Sequence, residues 1–265
     1  MRRKYKGLTR TALLSIESFV AQQAFYRYSF VAVPIHDLRN KDLLIDVANQ
    51  TKMKVLVATH KVLPLLLPAL KECPSIKTVI VIGIYISEEQ KAEAAKLNVK
   101  LLKFADMEYQ GASNPLPAVK PDPEDLAMIN YNTKSTSLSK GVMLTHANLV
   151  AAMTAFNLSL PGPKKLTSKD RLLSHFSNGD VIAVWMNSAI ILAGGSIVFP
   201  SGLMKNVLYD AQATAPTVFA RYEAQPKEVI KAGFLYVART HSFRLNVATL
   251  TAHQLFWKRS RRRFS

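Results

Sequence analysis

The chain has 265 residues, 49% of them hydrophobic and 20% charged, a balance that sustains a packed core and excludes global disorder. Its one cysteine, Cys73, excludes an internal disulfide and has no neighbouring Cys or His to suggest a metal site. The net charge of +17 has no focus: beyond Glu228 the chain carries Lys231, Arg239, Arg244, Lys258, Arg259, Arg261, Arg262 and Arg263 and no acid, and the remaining excess is scattered.

Without a helix-turn-helix, an aromatic RNA-stacking motif or a C-x-x-C pair, nucleic acid is not the expected partner. The basic end remains compatible with anionic lipid or phosphate. The opening "MRRKYKGLTRTALLSIESFV" is too weakly apolar for a secretion signal, so an intracellular, non-secreted protein is expected.

In chain order, "ESFVAQQAFYRYS" has helical spacing and leads into a strand, "FVAVPI" (30–35). "KDLLIDVANQT" precedes "KVLVAT" (54–59), "LPLLLPALKEC" precedes "KTVIVIG" (77–83), and "SEEQKAEAAKLN" precedes "VKLLKF" (99–104). Apolar runs alternating with helices predict an α/β fold of mostly parallel sheets flanked by helices. The segment 111–125, with four prolines, reads as a surface connection. A second alternation follows: "LAMINYN", a polar loop, a helix from about His146, "DRLLSH", "VIAVWMNSAIILAGG", "SIVFP" and "APTVFA". The uncharged stretch from Val181 to Met204 is long enough to suggest a membrane span. A buried helix, a Gly194-Gly195 turn and a buried strand fit it better, because Pro200 and the glycine pair interrupt the run. The basic ends, 1–16 and 233–265, are expected to be poorly ordered.

The polar loop carries the chemistry. A loop that binds phosphate between secondary-structure elements needs converging backbone N–H groups, hydroxyls, and a lysine to neutralise charge. Thr133, Ser135, Thr136, Ser137 and Ser139 supply hydroxyls, and Lys140-Gly141 closes the loop. The spacing is not that of a Walker loop. Taken alone, the cluster also fits an ordinary polar turn.

With its surroundings, "PEDLAMINYNTKSTSLSKGVMLTHANLVA" resembles the signature of adenylate-forming enzymes, specifically the long-chain fatty-acid–CoA ligases. Tyr131, Thr133, Ser135, Thr136, Lys140, Gly141, Thr145 and His146 fall on matching positions. The similarity extends through "AQQAFYRYSFVAVPIHDL", "LPLLLPALKECPSIKTVIVI", "AGGSIVFPSG" and "AQATAPTVFA". Residues 17–225 thus resemble a partial AMP-binding domain, part of the large N-terminal domain of such an enzyme. The resemblance implies ATP with Mg²⁺, a long-chain fatty acid and CoA as reactants, giving acyl-CoA through an acyl-adenylate. It implies a place on the cytosolic face of the endoplasmic reticulum or another organelle membrane, with peripheral membrane contact. Thr133, Ser135, Thr136, Lys140 and Gly141 are the implied phosphate-binding set.

Departures from the pattern fall at functional places. Lys134 and Ser137 replace the two loop glycines, and Ser139 replaces the proline before the lysine. A side chain forced to positive φ costs on the order of 1–2 kcal/mol. Asp180 stands at a family histidine, "ARYEA" replaces a Val-Pro-Arg stretch, and no Thr-Glu or Tyr-Gly pair occurs. The expectation is a truncated ligase fragment, catalytically incomplete and with no catalytic residue assigned. The alternative is a non-catalytic, membrane-associated module that binds fatty acid or nucleotide. His36, His60, His146, His175, His241 and His253 show no metal spacing; His146 is expected to cap or orient the helix after the loop. Asp37 reads as a turn or helix-cap residue, and Trp185 and Met186 as core.

Overall fold

The computed structural model describes residues 5–9, 15–35, 41–132, 140–159, 165–177, 179–201, 207–222 and 235–239. Seven strands form the larger sheet: β1 (Tyr5–Thr9), β2 (Val31–Ile35), β3 (Val55–Thr59), β4 (Thr78–Ile82), β5 (Lys100–Lys103), β6 (Leu126–Asn132) and β7 (Lys140–Thr145). Their order is β5-β4-β3-β1-β2-β6-β7. Every pair is parallel except β6–β7. Read from the other side, the first five strands follow the doubly wound order 2-1-3-4-5.

Side chains alternate between two buried faces, which is why these strands read as continuous apolar runs. Val31, Val33 and Ile35 join Leu56, Ala58, Val79 and Val81 in one core. That core is filled by α2 (Lys41–Thr51), α3 (Leu63–Ala69) and α4 (Glu88–Lys96). Ala32, Val57, Ile80 and Ile82 face the other way, against Ala21 and Phe25 of α1 (Ile16–Arg27) and Phe104 of α5 (Phe104–Ser113). At α4, Ser87 accepts from the Gln90 backbone at 3.2 Å while Gln90 Oε1 accepts from the Ser87 N–H at 3.0 Å, a reciprocal cap.

The smaller sheet contains β8 (Arg171–Leu173), β9 (Ser196–Val198), β10 (Val218–Tyr222) and β11 (Leu235–Arg239), in the order β11-β10-β8-β9. β8 is parallel to β9 and β10, and β11 is antiparallel to β10. Between the sheets lie α6 (His146–Ser159) and α7 (Val181–Leu192). On one side Leu149 and Val184 pack on Ala127 and Met128 of β6. On the other, Phe156, Met186 and Ile190 pack on Leu172 and Val218. One further helix, α8 (Val207–Thr214), buries Ala211 beside Leu173.

The mostly parallel α/β architecture is the expected one. The uncharged stretch resolves into α7, twelve residues long, a turn at Gly194 (φ +76°) and Gly195, and β9. No helix among the described residues is long and apolar enough to cross a membrane. Several elements differ from expectation. β5 stops at Lys103 because Phe104 opens α5, which takes Gly111–Ser113 from the proline-rich connection. Thr145 and the residues before it form β7 rather than leading straight from loop to helix. Strands β1 and β11 lie within the ends expected to be poorly ordered: β1 is held on both edges by β2 and β3, and β11 on β10.

Candidate functional site

The candidate loop is the tip of a hairpin. β6 and β7 pair Ile129↔Met143, Asn130↔Val142, Tyr131↔Gly141 and Asn132↔Lys140, so the two ends of the 133–139 connection are cross-strand neighbours. Thr133, Lys134, Ser135, Thr136, Ser137 and Ser139 lie outside the described residues, as do His36, Asp37, His241 and His253. Lys140 and Gly141 belong to β7, with Lys140 exposed at the hairpin's last described pair.

Gly141 is glycine for a packing reason. A Cβ there would lie 2.6 Å from Ile129 Cγ2 and 3.0 Å from Tyr131 Cζ. The Tyr131 ring therefore covers the glycine opposite it. Its hydroxyl donates to Gln50 Oε1 of α2 at 3.2 Å, fixing the hairpin to one face of the sheet. The preceding residue points the other way, as strand alternation requires: Asn130 Nδ2 donates to the Gly179 carbonyl at 2.9 Å.

Beyond the hairpin, Thr145 and Asn148 form a reciprocal cap. The Thr145 N–H donates to Asn148 Oδ1 at 3.0 Å, and the Asn148 N–H donates to Thr145 Oγ1 at 3.2 Å. The side-chain cap of α6 is thus Thr145. His146 instead seats the helix: its N–H donates to the Asp125 carbonyl at 3.0 Å, and its ring meets Tyr26 edge-on at 5.7 Å. Its Nε2 is buried and finds no hydrogen-bond partner among the described residues. Burial pushes the imidazole pKa down, with Asp125 opposing.

Asp180 is the N-cap residue of α7, and its N–H donates to the Ser177 carbonyl at 2.7 Å. His175 is buried between the rings of Phe176 (4.2 Å) and Phe219 (4.9 Å), and burial lowers its pKa too. Asp170 is a buried structural carboxylate, accepting from the Thr167 N–H and hydroxyl and from the Thr217 hydroxyl. Among the described residues no three His, Cys, Asp or Glu side chains gather into a metal-holding group.

Residues 12–241 match the AMP-binding enzyme family over most of the chain. The chain belongs to that family. Among its relatives, a peroxisomal long chain acyl-CoA synthetase 6 of Arabidopsis thaliana is 30% identical over 204 residues, 77% of this chain and 28% of the relative. A long-chain-fatty-acid–CoA ligase 5 of Mus musculus is 31% identical over 206 residues, 77% of this chain and 30% of the relative. The chain therefore spans less than a third of the length of these relatives. The fold is shared with solved AMP-binding structures. The A-PCP didomain of a Segniliparus rugosus carboxylic acid reductase, in complex with AMP, superposes with a TM-score of 0.69 at 17% identity, covering 81% of this chain and 31% of that one. The anthranilate CoA ligase AuaEII in complex with anthranoyl-AMP gives 0.63 at 21% identity, covering 82% and 39%.

Within this family frame, the motif residues that the structure brings together are Tyr131, Lys140, Gly141, Thr145 and His146, all on β6, β7 and the start of α6. Gln50 and Gly179, which hold the hairpin from opposite faces, carry no motif. The spacing of Asn130 and Tyr131 on a strand does imply that their side chains seek partners on two sides.

Proposed function

We propose that the chain uses the β6–β7 hairpin to bind ATP phosphates, as part of a long-chain fatty-acid–CoA ligase. The observation that carries this reading is the Asn132↔Lys140 pair, which brings together the ends of a hydroxyl-rich connection with a lysine at its edge. Relatives named as long-chain ligases support the reaction class. In that reaction a fatty carboxylate displaces pyrophosphate from ATP, and CoA then takes the acyl group from the adenylate.

Lys140 would offset phosphate charge, while Thr133, Ser135 and Thr136 would donate hydroxyl hydrogen bonds. Such help is electrostatic and positional. Tyr131 and Gly141 shape the hairpin beneath. Among the described residues no three His, Cys, Asp or Glu side chains gather into a metal-holding group, and no step is assigned to the metal. The site of action in this reading is the cytosolic face of an organelle membrane, with a long-chain fatty acid and CoA as partners.

A second reading is a non-catalytic, membrane-associated module that retains nucleotide or fatty-acid binding. Lys134 and Ser137 at the glycine positions favour it, since side chains there cost conformational freedom and space. Thermal unfolding with and without Mg-ATP tests nucleotide binding. At a hundred times Kd, native-state binding adds about 2.7 kcal/mol and raises Tm. Lys140→Ala should abolish the rise, and restoring glycine at positions 134 and 137 should enlarge it. No rise in the native chain or in the glycine-restored variant would remove ATP from the proposal. Acyl-CoA formation by a chain that responds to ATP would exclude the non-catalytic reading.

A further inference from the structure

We infer that Asn130 is a positioning residue that couples the root of the candidate phosphate hairpin to the N-terminal turn of α7, so that the two move as one unit. The inference takes its ligand from the phosphate-binding reading and its geometry from the hydrogen bonds alone.

Asn130 lies on β6 opposite Val142, two pairs before the hairpin tip. Its side-chain amide donates to the carbonyl of Gly179, forty-nine residues on, at 2.9 Å. That carbonyl belongs to a turn already closed from within. The Gly179 N–H donates to Ser177 Oγ at 3.2 Å, and the Asp180 N–H donates to the Ser177 carbonyl at 2.7 Å. The Asp180 carbonyl then accepts the Val184 N–H of α7 at 3.2 Å. One side chain thus joins a strand of the larger sheet to the first turn of the helix shared with the smaller sheet.

On the opposite face the adjacent Tyr131 hydroxyl donates to Gln50. Consecutive residues therefore hold the hairpin root from both sides, and only the Asn130 side reaches α7. Apolar contacts of Ala127, Met128 and Leu144 with Val181, Val184 and Trp185 press the same elements together. The amide–carbonyl bond adds a directional tie at the hairpin root itself. A change at the hairpin is then felt at the turn before α7, and the reverse, because coupling between two sites is reciprocal.

The test uses the full chain with Asn130→Asp, which keeps shape but loses the donor, and Asn130→Leu, which keeps bulk if the carboxylate variant does not fold. Two quantities are read: hydrogen exchange by mass spectrometry without nucleotide, and the Mg-ATP affinity from titrated thermal shifts. The expected result is faster exchange at both β6–β7 and residues 177–184, unchanged exchange in α2 to α4, and an affinity lower by roughly tenfold. Faster exchange at only one of the two segments, or at neither, overturns the coupling. Coupled exchange with unaltered ATP affinity in the variants reduces Asn130 to a structural contact and overturns the positioning role. Coupled exchange in a chain whose native form never responds to Mg-ATP upholds the coupling and removes the phosphate reading.

Discussion

A methyl group at position 141 would press into Ile129 and the Tyr131 ring, both on the neighbouring strand. Gly141→Ala should therefore destabilise the chain by about 1–3 kcal/mol, the usual cost of overpacking. Its Tm relative to the native chain measures this, and an unchanged Tm would mean that the ring swings aside freely. The two buried histidines make a separate statement about pH. His146 and His175 both have folded pKa values below the ordinary 6.5, chiefly through burial. The unfolded chain then binds protons before the folded one does as pH falls below 6.5. The stability they contribute is whole above that value and is lost as pH drops through their folded values. Denaturant midpoints between pH 7.5 and 5 should fall on acidification, and replacing both histidines by Phe should flatten that part of the curve. The importance of Gly141 was legible in the sequence, but for another reason, since a glycine after the motif lysine reads as loop chemistry. What the sequence withholds is the ring opposite, because cross-strand partners depend on register.

At the level of elements, legibility followed periodicity. The strands near 31–35, 55–59 and 78–82 were readable because burial on both faces leaves them apolar except for Thr59 and Thr78 at strand ends. β7 was not: "KGVMLT" leaves Val142 and Met143 exposed, and as an edge strand it lacks a two-sided apolar pattern. α5 was hidden for the same reason, for it has no buried residue. α4 starts on the reciprocal cap of Ser87 and Gln90, which periodicity alone does not mark. Ser87→Ala should cost about 1 kcal/mol by removing it, and exchange rates across Glu88–Lys96 should rise more than those of α2. Equal changes in both helices would deny the cap a local role. The candidate loop itself was the reverse case: its residue types suggested a phosphate-binding role only together with the surrounding motif, while its antiparallel frame depended on pairing that no motif states.

For the molecule as a whole, α6 and α7 are the shared layer, with apolar side chains of both serving two sheets. The chain carries less than a third of the length of its named relatives, and among the described residues the outer edge of β7 has no paired strand. Val142 and Met143 are 55% and 66% exposed there, the kind of edge that promotes self-association. Val142→Lys should raise the concentration at which scattering detects oligomers, without lowering Tm. Unchanged oligomerisation would place the sticky surface elsewhere.

The pairing of the larger sheet also sets a timetable. β1 sits in the middle of the sheet although it precedes the other six strands in the chain, and Ala32 of β2 must wait for Met128 of β6. The β6–β7 hairpin needs no such wait, since its strands are joined by a seven-residue connection and hairpins close in roughly 1–10 μs. On a ribosome adding about 5–20 residues per second, Gly179 follows Asn130 by forty-nine residues. The two strands of the candidate phosphate hairpin are thus available to pair early, whereas the tie from Asn130 to the turn before α7 must await several seconds of further synthesis.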